Sequence, residues 1–185
     1  MSLHQTFNKT TKAELQKKLG KKNVHEVPVV QKVVVAMGIG SLASRKGVKE
    51  FTDLEQNMEA ITGQKAQMIL SKKDISNFKL RSGMPSMLRT TLRGAKAHDF
   101  IERMTTLVFP RVRDFMGVSG RKFDGKGNYS IGFKTQSVFA EIKPEEVKTP
   151  MGVQVTIVTT ADTNEDAKAL LQSLGIIFEN LQPKE

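Results

Sequence analysis

The sequence predicts an α+β protein whose central element is an antiparallel β-sheet. Segments rich in β-branched residues interleave with amphipathic helical segments, although not in a regular β-α-β-α order. Two of the predicted strands, "QKAQMIL" and "SMLRTTLR", follow each other with no helix between them. The segment that joins them, residues 71–85, is long and basic. Because consecutive strands without a crossover helix pair antiparallel, we expect an antiparallel sheet with a long basic loop between two strands.

Helical spacing, β-branched runs and stop residues divide the chain into nine predicted elements, which include these two strands. The sequence predicts four helices: one over 3–20 ended by Gly20, one capped by Ser41 and ended by Gly63, one around 100–108 closed by Pro110, and one opening at Asp162 and ended by Gly175. It predicts five strands, over 29–37, 64–70, 86–93, 129–133 and 153–160. The length allows one well-buried core or at most two small ones, and we predict a single domain over residues 1–185 with a short C-terminal tail, 179–185.

The composition excludes several classes of protein. With 38% apolar and 26% charged residues, the chain has the composition of a soluble globular protein. The absence of cysteine excludes disulfides and thiolate metal sites, and the three histidines lack ligand-like spacing. The N-terminal segment has no apolar run typical of a secretion signal, and no stretch reaches the ~18 apolar residues of a membrane span. We therefore expect a cytoplasmic protein without a metal, a cofactor or a membrane partner.

The positive charge is concentrated in one part of the chain. The net charge is +10, and residues 65–96 hold eight Lys or Arg and a single acidic residue, Asp74. Residues 141–185 hold four basic and eight acidic residues. This asymmetry favours a surface that binds a polyanion, and nucleic acid is the partner it predicts, although a solubilising surface would also carry charge.

A nicotinamide-binding turn is the main enzymatic alternative. In "VVVAMGIGSLASRKG", a strand leads into Gly38-Ile39-Gly40, and Ala43 completes a G-x-G-x-x-A pattern. However, the next strand ends in Ser71-Lys72-Lys73 instead of the acidic residue that holds a ribose, and no second mononucleotide-binding half follows. The chain also lacks a nucleophile elbow and a phosphate-binding loop. We therefore predict a binding protein that is not an enzyme, with a nicotinamide-dependent enzyme as the alternative and a free-standing regulatory RNA binder as a third class.

Polar and basic side chains along the two adjacent strands form a candidate RNA surface. Cationic groups neutralise phosphates, while amides and hydroxyls recognise sugar and base edges. An ordinary solvated sheet face would have the same composition. The candidate residues are Gln64, Lys65, Arg89, Thr90, Thr91 and Arg93.

The basic loop "SKKDISNFKLRSGMP" is longer than a structural connection requires. Hairpin loops are mostly about 2–5 residues, so the extra length favours contact with RNA beyond the sheet. Lys72, Lys73, Lys79 and Arg81 surround one aromatic residue, Phe78. We expect few buried side chains in this loop, except that Phe78 is predicted to anchor its base in the core; contact of Phe78 with a ribose is the alternative.

Several motifs, in one order and spacing, resemble a known family. They are "AMGIG", "AITGQKAQ", "TLRG", "FPRVRDFMGV", "FDGKGNYSIG" and "VTIVTTA", which span about Val27 to Ile177. The chain resembles the large-subunit ribosomal protein five family, which binds 5S ribosomal RNA in the central protuberance. The most specific part of the resemblance runs from "PRVRDF" through "GNYSIG".

The resemblance implies a sheet with helices packed on one face and 5S rRNA on or beside the other. It implies that Gln64 and Thr91 contribute to the RNA surface, within a large subunit that also contains the large-subunit rRNA. The segment Lys72 to Met84, including Asn77, matches the family's loop that reaches the elbow of the peptidyl-site tRNA. The resemblance also implies contact with small-subunit ribosomal protein thirteen across the subunit interface, and a ribosomal location in the cytoplasm.

Three positions depart from the family pattern. Ala36 stands where the family has an RNA-contacting Asn, Ala140 replaces a proline, and Asp74 makes the loop less basic. Under this resemblance, Gly38-Ile39-Gly40 is a tight turn at the sheet edge instead of a cofactor site.

Overall fold

A five-stranded sheet with the strand order β2-β3-β1-β5-β4 organises the protein. In the computed structural model, residues 7, 11–45, 50–147 and 149–179 are described. The strands are β1 (Val30–Gly38), β2 (Gln67–Leu70), β3 (Pro85–Leu92), β4 (Tyr129–Phe133) and β5 (Val153–Thr159). The main helices are α1 (Lys12–Leu19), α2 (Gly40–Arg45), α3 (Thr52–Thr62), α4 (Ala95–Arg103) and α5 (Asn164–Ser173).

Backbone hydrogen bonds confirm the predicted antiparallel α+β class. Strands β2 and β3 pair antiparallel, with Gln67 opposite Arg89. The N–H of Ile39, just after β1, donates to the carbonyl oxygen of Ser86 near the start of β3 at 3.0 Å. At the other end of β1, the N–H of Thr160 donates to the carbonyl oxygen of Val29 at 3.0 Å. Strand β1 is therefore antiparallel to both β3 and β5.

The strands bury one face more completely than the other. In β5 the residues at positions 153, 155, 157 and 159 are buried, whereas those between them are exposed or half-buried. Strands β3 and β4 show the same alternation. Because successive side chains of a strand point to opposite faces, the core covers one face of the sheet and leaves the other partly open.

Two helix predictions require correction. The helix expected from Ser41 to Gly63 is instead two helices, α2 and α3, and residues 46–49 lie outside the described part of the chain. Pro110 does not close its helix: α4 continues through a π-helical turn, Met104–Val108, and a short segment, Phe109–Arg111. Pro110 lies directly after the π-helical turn, where the regular i→i−4 hydrogen-bond ladder is already interrupted.

The helix ends predicted at Gly20 and Gly63 are confirmed, whereas Ser41, the predicted cap, lies inside α2 instead of before it. Gly20 and Gly63 have φ angles of 65° and 66°, a left-handed conformation in which glycine avoids a steric penalty. Thr163 caps α5, because its hydroxyl accepts a hydrogen bond from the Asp166 N–H at 3.2 Å. Residues 3–6 and 8–10 of the predicted N-terminal helix, and 180–185 of the predicted tail, lie outside the described residues.

By internal contacts, the described residues fall into two compact units. The first draws on Met1–Val33, Leu92–Ile131 and Thr156–Glu185, and the second on Val34–Thr91 and Gly132–Val155. The prediction of a single domain over 1–185 stays a prediction.

In the first unit, the motif "FDGKGNY" forms a glycine-dependent loop before β4. One Asp124 carboxylate oxygen accepts hydrogen bonds from the N–H groups of Lys126 and Asn128, at 2.8 and 3.0 Å. The other accepts from the Asn128 side-chain amide at 2.6 Å, and these bonds lower the pKa of Asp124. The Gly127 carbonyl oxygen accepts from the Thr159 hydroxyl at 2.8 Å, which joins the loop to the end of β5.

Candidate nucleic-acid interface

Strand β3 presents only some of the predicted RNA-binding residues to solvent. Arg89 is exposed and Thr91 is half-buried, and both lie on the open face of the strand. Thr90 is 2% exposed and lies on the core face with Leu88 and Leu92. The prediction that Thr90 belongs to the RNA surface is therefore corrected: strand alternation turns its side chain inward. The sequence signal that would have shown this is the two-residue spacing of Thr90 from Leu88 and from Leu92, which places all three on one face of the strand.

The turn after α3 positions Gln64 beside Thr91. Gly63 reverses the chain, and the buried hydroxyl of Thr62 lies 2.7 Å from the Met58 carbonyl oxygen and 2.9 Å from that of Gln64. The exposed Gln64 side chain then extends to β3, with its Nε2 atom 3.5 Å from the Thr91 carbonyl oxygen. The structure thus brings together two predicted residues that are 27 positions apart in sequence.

A further polar residue on this surface was missed by the sequence analysis. Gln67 is exposed and lies opposite Arg89 in the β2–β3 register, so both side chains project from the same face. Lys65 is exposed just before β2. Arg93 is exposed just after β3 and belongs to the first compact unit. Gln67 would have been found by combining strand alternation with a correct pairing register.

A shallow groove of about 320 Å³ opens in the second unit. Its lining includes Ala36 and Gly38 of β1, Gly132 of β4, and Gly152 and Gln154 at β5. Small residues on neighbouring strands leave the backbone accessible to a partner. Ala36, where the family pattern has Asn, lies in this groove and supplies no polar side chain. Gln154 is the exposed amide of this groove and is a second polar position that the sequence analysis did not single out.

The basic loop between β2 and β3 is closed by its own backbone. At its base, the Ser71 N–H donates to the Met84 carbonyl oxygen at 2.8 Å, and the Gly83 N–H donates to the Ser71 carbonyl oxygen at 2.9 Å. Near its tip, Ile75 and Leu80 exchange two hydrogen bonds of 2.8 and 3.1 Å. A 3₁₀ turn, Ser76–Phe78, lies between them.

Every residue from 72 to 79 is exposed, as is Arg81. The predicted loop residues Lys72, Lys73, Asn77, Lys79 and Arg81 are therefore all accessible to a partner. Phe78 contradicts the sequence expectation: it is 64% exposed and does not anchor the loop in the core. The backbone bonds already hold the loop together, so an apolar anchor is not required.

The Gly38-Ile39-Gly40 segment is a turn after the central strand of the sheet, not at an edge strand. Its Ile39 N–H bonds the neighbouring strand at Ser86 instead of pointing to a free anion site. The following helix, α2, has six residues. The nicotinamide alternative thus finds no support. Among the described residues there is no cluster of potential metal ligands and no helix long and apolar enough to cross a membrane.

Comparison with known proteins decides the family. Residues 23–81 match the family model described as ribosomal protein L5, and residues 85–178 match the model for the C-terminus of the same family. The chain belongs to the ribosomal protein L5 family. Alignments with individual relatives cover nearly the full length of this chain. The large ribosomal subunit protein uL5 of Prochlorococcus marinus (strain NATL1A) is 46% identical over 96% of this chain and 98% of the relative.

Relatives from other bacteria agree. Protein uL5 of Natranaerobius thermophilus is 44% identical over 90% of this chain and 92% of its own length, and that of onion yellows phytoplasma is 46% identical over 94% of each. As a member of the L5 family, the chain is a structural, non-enzymatic constituent of the large ribosomal subunit, and bacterial ribosomes are cytoplasmic. The family resemblance and the prediction that the chain is not an enzyme are confirmed.

Proposed function

We propose that this protein binds 5S rRNA through the surface formed by Gln64, Lys65, Arg89 and Thr91 of the second unit, and that Arg93 of the first unit also contacts this RNA. The observation that carries the proposal is the approach of Gln64 to Thr91, with Nε2 3.5 Å from the Thr91 carbonyl oxygen on an exposed surface. The family resemblance, which implies that Gln64 and Thr91 contribute to the RNA surface, supports the proposal independently.

The chemistry of the surface suits RNA in two ways. Lys65, Arg89 and Arg93 are exposed cations that can neutralise phosphates, which provides most of the sequence-independent affinity. The Gln64 amide and the Thr91 hydroxyl can donate and accept hydrogen bonds, so they can recognise a 2′-hydroxyl or a base edge. Gln67, opposite Arg89, adds a further amide to the same face.

The basic loop has a separate role in this proposal: contact with the peptidyl-site tRNA. Its cations Lys72, Lys73, Lys79 and Arg81, with Asn77, are exposed on a segment that projects beyond the β2–β3 pairing. The wider partners, namely large-subunit rRNA and small-subunit ribosomal protein thirteen across the subunit interface, rest on the family resemblance.

Salt dependence tests the 5S rRNA surface. Lys65→Ala and Arg93→Ala are each expected to weaken 5S rRNA binding and to reduce the slope of log affinity against log salt by about 1, because each removes one phosphate contact. The affinities of the full chain and its variants for 5S rRNA would be measured by filter binding from about 50 to 200 mM salt.

Lys17→Ala is the matched control for this experiment. Lys17 is an exposed cation on α1, away in sequence from the proposed surface, and its removal should leave the slope unchanged. If the Lys65 and Arg93 variants keep the native slope, these two residues do not contact RNA phosphates.

Loop replacement tests the division of labour between the loop and the sheet. We expect that replacing Lys72 to Arg81 by a short Gly-Ser turn leaves 5S rRNA affinity nearly unchanged but speeds tRNA dissociation from the peptidyl site of assembled ribosomes. A variant with the four loop cations changed to Gln keeps the loop length and isolates the contribution of charge. If the replacement abolishes 5S rRNA binding, the loop belongs to the primary interface and the proposed division is wrong.

A further inference from the structure

Phe78 is a large apolar side chain that the folded protein leaves in water. Its 64% exposure is the highest among the large hydrophobic residues of the basic loop, compared with 42% for Ile75. Leaving an aromatic ring exposed forgoes much of the free energy that its burial would contribute. It is also surrounded in sequence by cations, a setting unlike that of a core residue.

The loop does not need the Phe78 ring to keep its shape. The backbone bonds between Ile75 and Leu80 close the tip, and the Lys79 N–H donates to the Ser76 carbonyl oxygen at 2.9 Å. Lys79 itself has a φ of 52°, a left-handed conformation that disfavours a side chain. The turn therefore holds Phe78 and its neighbours in a defined arrangement at some conformational cost, as is common at binding sites.

The surroundings of the ring combine an apolar surface with phosphate-binding groups. Two cations, Lys79 and Arg81, and one carboxylate, Asp74, line a cavity of about 710 Å³ together with apolar side chains that include Ile75, Leu80 and Met84. Phe78 lines an adjoining cavity of about 290 Å³ that also includes Leu80. An unpaired nucleotide matches this combination, because a base has flat apolar faces and carries a phosphate on each side.

We propose that the Phe78 ring stacks on an unpaired base of the peptidyl-site tRNA, while Lys79 and Arg81 bind the adjacent phosphates. This inference rests on the proposed contact between the loop and tRNA, and it adds the residue that recognises the nucleotide and the interaction that it makes. Stacking is tolerant of base identity because every base has a π face, so one residue can serve all the tRNAs that pass through the site.

The test compares ribosomes that carry variants of Phe78 in the full-length chain. Phe78→Ala and Phe78→Leu are expected to speed dissociation of deacylated tRNA from the peptidyl site by roughly 5- to 150-fold, the range that loss of one base–aromatic stack gives. Phe78→Tyr and Phe78→Trp keep an aromatic face and should dissociate at close to the native rate. Leu70→Ala, which truncates a half-exposed apolar side chain at the end of β2, is the matched control and should have no effect.

The comparison between Leu and the aromatic variants decides the nature of the contact. If Phe78→Leu keeps the native rate while Phe78→Ala does not, the ring makes a nonspecific apolar contact and the stacking proposal is overturned. If all four variants behave as the native protein does, while the Gly-Ser loop replacement still speeds dissociation, the loop contacts tRNA without Phe78 and the stacking proposal is again overturned. If the loop replacement has no effect either, the proposed tRNA contact itself fails.

Discussion

Gly127→Ala is expected to lower the free energy of unfolding by about 3 kcal/mol, because it combines backbone strain with overpacking. Gly127 has a φ of +74°, and a Cβ atom there would lie 2.7 Å from the carbonyl oxygen of Ala161 and 2.9 Å from its Cβ. The Gly127 carbonyl also accepts the Thr159 hydroxyl, so the loop cannot shift without losing that bond. Denaturant titration followed by circular dichroism would measure the loss.

Gly125→Ala, in the same loop, separates the two causes. Gly125 has a φ of +87°, but a Cβ atom there would meet no atom within 4 Å. This variant should therefore show the strain alone, about 1 kcal/mol. Equal losses of unfolding free energy for the two variants would mean that the close approach of Ala161 adds nothing to the cost of Gly127→Ala.

Gln64→Leu and Thr91→Val are each expected to reduce the free energy of 5S rRNA binding by about 1–3 kcal/mol. Each substitution removes a hydrogen-bonding group and leaves its RNA partner unpaired in the interface. Both positions are at least partly exposed, so the melting temperature should change little. Filter binding at one fixed salt concentration, with thermal unfolding of the same samples, would measure both quantities.

Thr90→Val is the control for Thr91→Val, since it makes the same substitution one residue away on the opposite face. The Thr90 hydroxyl is buried and has no hydrogen-bond partner among the described residues. Its removal should leave RNA affinity unchanged and raise the free energy of unfolding by about 1 kcal/mol, because an unsatisfied buried hydroxyl is costly. Loss of RNA affinity in Thr90→Val, or loss of stability without loss of affinity in Thr91→Val, would contradict the assignment of faces.

Local patterns were sufficient to predict the fold class and most of the elements. The β-branched runs predicted β1 and β5 to within one residue, because alternation and β-propensity act over a few neighbours. Gly20 and Gly63 marked helix ends, since a left-handed residue favours glycine wherever it occurs. The loop "FDGKGNY" and its neighbouring motifs indicated the family. Its glycines adopt positive φ angles, and Asp124 accepts hydrogen bonds from the loop N–H groups, so few other residues fit these positions.

The arrangement of the candidate RNA surface depended on interactions between distant parts of the chain. Gln64 and Thr91 were both predicted to contact RNA, but their approach follows from the turn after α3 and the position of β3. Gln67 was missed because the face on which it lies follows from its pairing with Arg89, and strand propensity does not predict which residues of two strands pair. Phe78 was misassigned because an apolar side chain is buried only where other parts of the fold pack over it, and the backbone hydrogen bonds of the loop form without such packing. Local sequence thus specified the elements and their ends, while the open face of the sheet and the outward position of Phe78 were decided by packing and pairing between residues far apart in the chain.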